Sequence, residues 1–165
     1  MFIRSERLFL RPFWPEDRAE LLALLAEEGA DRRQDAGWPL PCRVAQGAEP
    51  EDRRCPRFLV TLPGAHGSTI VGVVGLSRAG DAAEAGVWIA PAFRGRGYAT
   101  EAGRALLSIA RSLGFECAMA RPDPENDSAA RLFTKLGFQH AGDRFVRRFD
   151  ESCRGDDTCP TRLAA

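Results

Sequence analysis

The apolar run Val87-Trp88-Ile89-Ala90-Pro91, followed by Phe93-Arg94-Gly95-Arg96-Gly97-Tyr98-Ala99-Thr100-Glu101-Ala102, decides how this chain is read. The first five residues have the length and character of a buried strand. Beyond the glycines, Ala99, Ala102, Leu106, Ala110 and Leu113 recur at three- and four-residue steps, which predicts a helix over 98–113. Strand, glycine-rich turn and helix in that order make a phosphate site. Glycines let the backbone come close to an anion, the first helical N–H groups have no partner inside the helix, and the helix dipole favours negative charge there. Arg94 and Arg96 add cationic donors that suit phosphate oxygens. Residues 94–100 are therefore read as the seat of a phosphorylated ligand.

Two familiar phosphate binders fit poorly. A P-loop requires Gly-x-x-x-x-Gly-Lys-Ser/Thr, and the only lysine of the chain, Lys135, lies far downstream. A dinucleotide fingerprint wants a small residue where Thr100 stands, although Glu116 lies about twenty residues on, as that fingerprint prefers. Too few residues follow the turn to complete a doubly wound sheet.

The run Arg94-Gly95-Arg96-Gly97-Tyr98-Ala99 resembles the acetyl-CoA pyrophosphate loop of the GNAT superfamily of N-acetyltransferases. Pro124-Glu125-Asn126-Asp127-Ser128-Ala129-Ala130-Arg131-Leu132-Phe133-Thr134-Lys135-Leu136-Gly137-Phe138 is similar to that family's Asn-x-x-Ala-x-x-Leu-Tyr-x-Lys-x-Gly-Phe signature. Ser5-Glu6-Arg7-Leu8-Phe9-Leu10-Arg11-Pro12 resembles the opening strand of its ribosomal-protein-alanine acetyltransferase branch. The three segments stand in family order and spacing and frame almost the whole chain. The fold this implies is α/β (α+β): a mixed, mostly antiparallel central sheet with one parallel strand–helix–strand crossover and helices on both faces. One domain over residues 1–150 is expected, then a polar tail over 151–165.

The bulk properties agree with a single soluble domain. The chain has 165 residues, of which 44% are hydrophobic, enough for a core. Lys+Arg and Asp+Glu are 23 each, so no nucleic-acid or anionic-membrane partner is implied. No run approaches the roughly eighteen apolar residues of a membrane span, and the first residues lack the apolar core of a signal peptide. A cytoplasmic location is expected. The cysteines (Cys42, Cys55, Cys117, Cys153 and Cys159) are odd in number and form no Cys-x-x-Cys pair, so free thiols are expected and no metal site. Arg154-Gly155-Asp156 is a chance tripeptide in such a tail.

The remaining elements follow from pattern. Residues 2–13 alternate as a first strand. Pro15-Glu16-Asp17 opens a leucine-rich helix to about Glu28, closed by Gly29. Residues 31–57 read as a loop or irregular helix. Two antiparallel strands are expected at 58–62 and 69–77, and further strands at Glu84–Ala90 and Glu116–Arg121. Asn126 caps a short helix that Gly137 ends, and a strand or hairpin covers 138–149.

The resemblance also implies a mechanism: direct attack of a neutral primary amine on the thioester of acetyl-CoA in a ternary complex. Arg94, Gly95, Arg96, Gly97, Tyr98, Ala99 and Thr100 would hold the pyrophosphate. The backbone of Val87, Trp88, Ile89 and Ala90 would pair with the pantetheine and face the thioester oxygen, with Asn126 and Phe133 beside that arm. Glu84 shares a strand face with Gly86 and Trp88 and stands where the branch often carries a glutamate. It is the candidate general base, against the simpler reading of a solvated acid at a strand end.

Phe133 occupies the position of the family's usual acid, a tyrosine, and has no hydroxyl. Ser128 is the nearest alternative donor, one position before the expected site; it reads equally well as a first-turn helix residue. A CoA thiol with a pKa near that of free cysteine, about 8.5, can also leave as thiolate and take its proton from water. Tyr98 is a packing or capping residue, and His66 and His140 have no role. Trp38, with Glu27, Glu28, Asp31 and Asp35, would face a cationic acceptor, either a protein N-terminus or a small amine. The assembly is read as monomer or homodimer. A non-catalytic acyl-CoA-binding module on the same fold is the alternative reading.

Overall fold

The computed structural model describes residues 1–27, 54–65 and 67–149. Their strands are β1 (Ile3–Arg4), β2 (Phe9–Arg11), β3 (Arg57–Gly64), β4 (Gly67–Ala79), β5 (Ala82–Ile89), β6 (Cys117–Ala120), β7 (Gln139–Ala141) and β8 (Arg144–Arg148). The α-helices are α1 (Arg18–Glu27), α2 (Tyr98–Ser112) and α3 (Asp127–Lys135), with 3-10 turns at Pro15–Asp17 and Pro91–Phe93. All eight strands form one sheet in the order β1-β2-β3-β4-β5-β6-β8-β7. Every pairing is antiparallel except β5 with β6, which α2 joins as a parallel crossover.

The sheet is covered on both sides because its central strands are apolar on both faces. Val71, Val74, Ala83 and Ala85 pack against Ala102, Leu106 and Ala110 of α2 and Phe133 and Leu136 at α3. Leu59, Ile70 and Val73 pack against Leu21 and Leu25 of α1, an i, i+4 pair on one helical face. Val71 and Val74 face the same side although three residues apart, where a regular strand repeats every two. A bulge accounts for this: Val60 pairs with Gly72 and Thr61 with Ile70, leaving Val71 as the extra residue.

Helix α2 carries a glycine in its middle for a packing reason. A Cβ on Gly103 would lie 2.7 Å from Cδ1 of Leu136, so a side chain there would push that leucine aside at the close contact with the end of α3. Near the N-terminus, Arg11 and Asp17 form a buried bidentate pair at 2.7 and 2.6 Å. Asp17 also accepts the Trp14 N–H at 2.8 Å, and the Arg11 guanidinium lies 4.4 Å over the Trp14 ring.

Most expected elements are present within one to three residues of their sequence-read bounds. The exception is the first strand. Residues 2–13 form two short strands folded on each other, Ile3 opposite Leu10 and Arg4 opposite Phe9, around a turn at Ser5–Leu8. Ser5 makes the turn, its N–H donating to the Leu8 carbonyl at 2.9 Å and its hydroxyl accepting the Leu8 N–H at 3.3 Å. Alternation continues through both arms of such a hairpin, so pattern alone did not show the reversal. The C-terminal segment 138–149 is a hairpin as expected. The tail 151–165 and most of the expected 31–57 loop lie outside the described residues. No helix among the described residues is long and apolar enough to cross a membrane.

Candidate active site

Strand β5 keeps β4 as a neighbour along its whole length but loses β6 early. Its ladder with β4 runs from Ala82 to Ile89, whereas β6 is met only at Ala83–Ala118 and Glu84–Met119. Beyond Glu84 no described strand pairs with the edge of β5 toward β6, and the helix that follows the strand begins at the far end of that gap. Antiparallel pairing decides which backbone groups face the gap. The Ala90 N–H donates to Val71 at 2.9 Å, so Ala90, and by alternation Trp88 and Gly86, direct their backbone toward β4. Val87 and Ile89 face the gap. The Ile89 carbonyl confirms this, since it accepts from Arg94 Nε at 2.8 Å on that side. Of the four residues expected to offer backbone here, two are turned the other way.

The loop after the strand turns on two glycines. Gly95 and Gly97 have φ of +76° and +82°, left-handed conformations that glycine adopts without strain. Gly97 is the N-cap of α2 and, having no side chain, gives the first-turn N–H groups no cap bond. An ideal Cβ at Gly95 would meet nothing within 4 Å, so the space above the loop is open. Arg94 and Arg96 are exposed, Arg94 tied to the strand end and the Arg96 guanidinium 5.9 Å from the centre of the Phe93 ring. Tyr98 opens the helix with the Arg7 guanidinium 4.9 Å over its ring, a packing role.

Three candidates have partners that bear on their chemistry. Glu84, half-buried where β5 and β6 part, lies 3.5 Å from Arg121 Nε. Asn126 caps α3 by accepting the Ala129 N–H at 3.0 Å, and it also accepts the Ser128 hydroxyl at 2.8 Å. The Ser128 hydrogen is therefore committed to the cap. Phe133 is buried in an aromatic cluster, 5.2 Å from Phe138 edge-on and 6.2 Å from Phe145. Trp88 packs on the α1 side of the sheet with Ile70 and Val73. Trp38 and the acids Glu28, Asp31 and Asp35 lie outside the described residues, as does His66.

Sequence reading missed Arg7 and Glu101. Glu101, in the first turn of α2, accepts from the Ser5 hydroxyl at 2.6 Å, the Arg7 N–H at 2.8 Å and Arg7 Nε at 2.9 Å. Burial pushes its carboxyl upward, but these bonds and the guanidinium charge outweigh that and hold it below the usual range. The same arginine donates through Nη1 to the Arg96 carbonyl at 3.1 Å. The N-terminal hairpin is thus fastened to the glycine loop. A groove of about 770 Å³ runs along the outer side of α2 past these residues, away from the β5–β6 gap. Among the described residues no three His, Cys, Asp or Glu side chains gather as a metal site.

Residues 7–139 match the family described as Acetyltransferase (GNAT) domain. Solved structures share the fold. An acetyltransferase (GNAT family) from Bacillus anthracis is 22% identical, with a TM-score of 0.71 over 88% of this chain and 96% of its own. RimL, a ribosomal L7/L12 alpha-N-protein acetyltransferase in complex with coenzyme A, is 16% identical, with a TM-score of 0.72 over 90% and 98%. The microcin C7 self immunity acetyltransferase MccE, in complex with acetyl-CoA and AMP, is 14% identical, with a TM-score of 0.68 over 87% and 93%. No curated protein matches the sequence significantly.

Proposed function

The chain belongs to the GNAT acetyltransferase family, and from that premise we propose that it transfers acetyl from acetyl-CoA to a primary amine by direct attack. One observation carries the reading: a left-handed glycine loop that gives the helical N–H groups no cap bond lies at the end of a strand whose outward edge no described strand pairs beyond Glu84. Acetyl-CoA fits both parts. Residues 94–100 would hold its pyrophosphate, through the N–H groups of the loop and the first turn of α2. Val87 and Ile89 would pair with the pantetheine amides, and a backbone N–H there would stabilise the oxyanion as the carbonyl is attacked. The coenzyme A and acetyl-CoA in the RimL and MccE complexes support this choice of donor.

Glu84 would take the proton of the incoming ammonium, directly or through water. Its neighbour Arg121, with Nε 3.5 Å from Oε1, orients the carboxylate. A carbon–nitrogen bond then forms, the carbon–sulfur bond breaks, and the thiolate leaves. Ser128 can supply a proton only by releasing Asn126, so water serves the thiolate first. The acceptor is a small amine or a protein N-terminus. The second reading, an acyl-CoA-binding module without turnover, is favoured by Phe133, which fills the acid position with a buried ring lacking a hydroxyl.

The test is calorimetric titration of acetyl-CoA into the wild type and Gly95→Asp. Gly95 has open space around it, and aspartate tolerates left-handed backbone better than most residues, so the variant adds mainly a negative charge at the loop. Binding by the wild type and its loss in the variant supports the loop assignment; a wild type that does not bind overturns it. Coenzyme A release against a panel of amines separates enzyme from module.

A further inference from the structure

We propose that Arg7 is a positioning residue for the phosphate loop, acting through the Arg96 peptide and through Glu101. The proposal rests on the reading of residues 94–100 as that loop. Arg7 belongs to the turn between β1 and β2, 89 residues from Arg96 in sequence, yet its Nη1 donates to the Arg96 carbonyl at 3.1 Å. The carbonyl and N–H of a trans peptide point in opposite directions. Holding the Arg96 carbonyl toward Arg7 therefore turns the Gly97 N–H away from Arg7, to the side where a ligand can approach. Gly97 has φ +82° and no side chain to restrain it, so this external bond limits a peptide that could otherwise rotate.

The second effect is electrostatic. Glu101 lies in the first turn of α2, where a carboxylate suits the helix dipole but repels a bound pyrophosphate. Its side chain is only 12% exposed, so water screens it poorly. Arg7 meets it with its backbone N–H and its Nε, and Nη2 stands 2.9 Å from Oε2. The pair leaves little net charge beside the loop. Arg7 is itself half exposed and keeps to the outer side, so it need not touch the ligand to act.

The experiment is titration of coenzyme A into the full chain as wild type, Arg7→Ala, Arg7→Lys, Arg4→Ala and the double variant Arg7→Ala/Glu101→Gln, each well below its melting temperature. Losing bonds between charged groups predicts that Arg7→Ala raises the Kd by about tenfold. Arg7→Lys keeps the charge but not the fork, and is expected between wild type and Arg7→Ala. The double variant, freed of the uncompensated carboxylate, should recover part of the loss. Arg4→Ala removes a charge from the same hairpin and should change the Kd by less than about twofold. A purely structural role lowers the melting temperature but leaves the Kd of the folded protein unchanged, so equal affinity of Arg7→Ala and wild type overturns the proposal. Should Arg7→Ala not fold, Arg7→Lys decides in the same way. A wild type that does not bind coenzyme A overturns instead the loop reading on which it rests.

Discussion

Replacing Gly72 with alanine should damage this fold at the strand that matters most to the site. The new methyl would stand 2.2 Å from the Trp88 carbonyl oxygen and 2.7 Å from Cδ1 of Ile89. The Ile89 tip can turn away, but the Trp88 carbonyl is part of the ladder with Val73. Carbon and oxygen rest at about 3.3 Å or more, so β4 and β5 must separate by about 1 Å. The Ala90 N–H to Val71 bond, now 2.9 Å, lies beside the point of separation and would exceed hydrogen-bonding range. Two lost ladder bonds at about 1 kcal/mol each, with an overpacking cost of about 1–3 kcal/mol, give about 3–5 kcal/mol. At about 2–4 °C per kcal/mol for a domain of this size, Tm falls by about 6–20 °C. Gly80→Ala is the comparison: φ is +63° with nothing within 4 Å, so only backbone strain of about 1–2 kcal/mol is expected. Thermal melts followed by circular dichroism, with urea titrations, measure both. A Gly72→Ala protein melting within about 2 °C of wild type, or losing less than Gly80→Ala, would refute the reasoning.

Asp17→Ala strips the buried Arg11 of its counter-charge and should cost about 3–5 kcal/mol in urea unfolding, whereas Asp17 and Arg11 replaced together by apolar residues should cost much less. Burial raises the Asp17 carboxyl, but the bonds from Arg11 and the Trp14 N–H hold it below its ordinary value of 3.8, so it contributes stability above that pH which is lost as pH falls through the lower folded value. The acid limb of a stability–pH profile should therefore flatten in Asp17→Ala. Asn126→Ala, which removes the cap of α3, should lower stability by about 1 kcal/mol, and a stability equal to wild type would show that the cap contributes nothing. Glu84→Gln should reduce turnover at neutral pH while the Kd for acetyl-CoA stays unchanged; full turnover would remove Glu84 from the mechanism.

Local pattern was enough to find most of the elements and the glycine loop of the candidate site. The strand–loop–helix over 87–113 is encoded in neighbouring residues: an apolar run, two glycines that permit left-handed backbone, and a helical stripe. The cap at Asn126 and the stop at Gly137 are equally local, since each acts on backbone within a few residues. These features follow from covalent geometry and short-range hydrogen bonding, which the order of residues fixes directly.

Tertiary structure decided what depends on distant neighbours. The first strand is a hairpin because Ser5 bonds Leu8 and β2 pairs with β3, neither of which alternation reveals. Whether Val87 or Trp88 offers its backbone to the gap depends on the phase of the β4 ladder, set by the bulge at Val71 and the pairing across to Ala90. Ser128 reads as a free hydroxyl in sequence, but helix capping gives its hydrogen to Asn126. Glu101 gains its partners Ser5 and Arg7 only because the fold brings them to it across more than ninety positions. The sequence by itself determined which backbone could bind an anion, because that is a property of adjacent residues. Which groups surround that backbone, and which of its N–H donors face outward, only the packing of the hairpin and the sheet could decide.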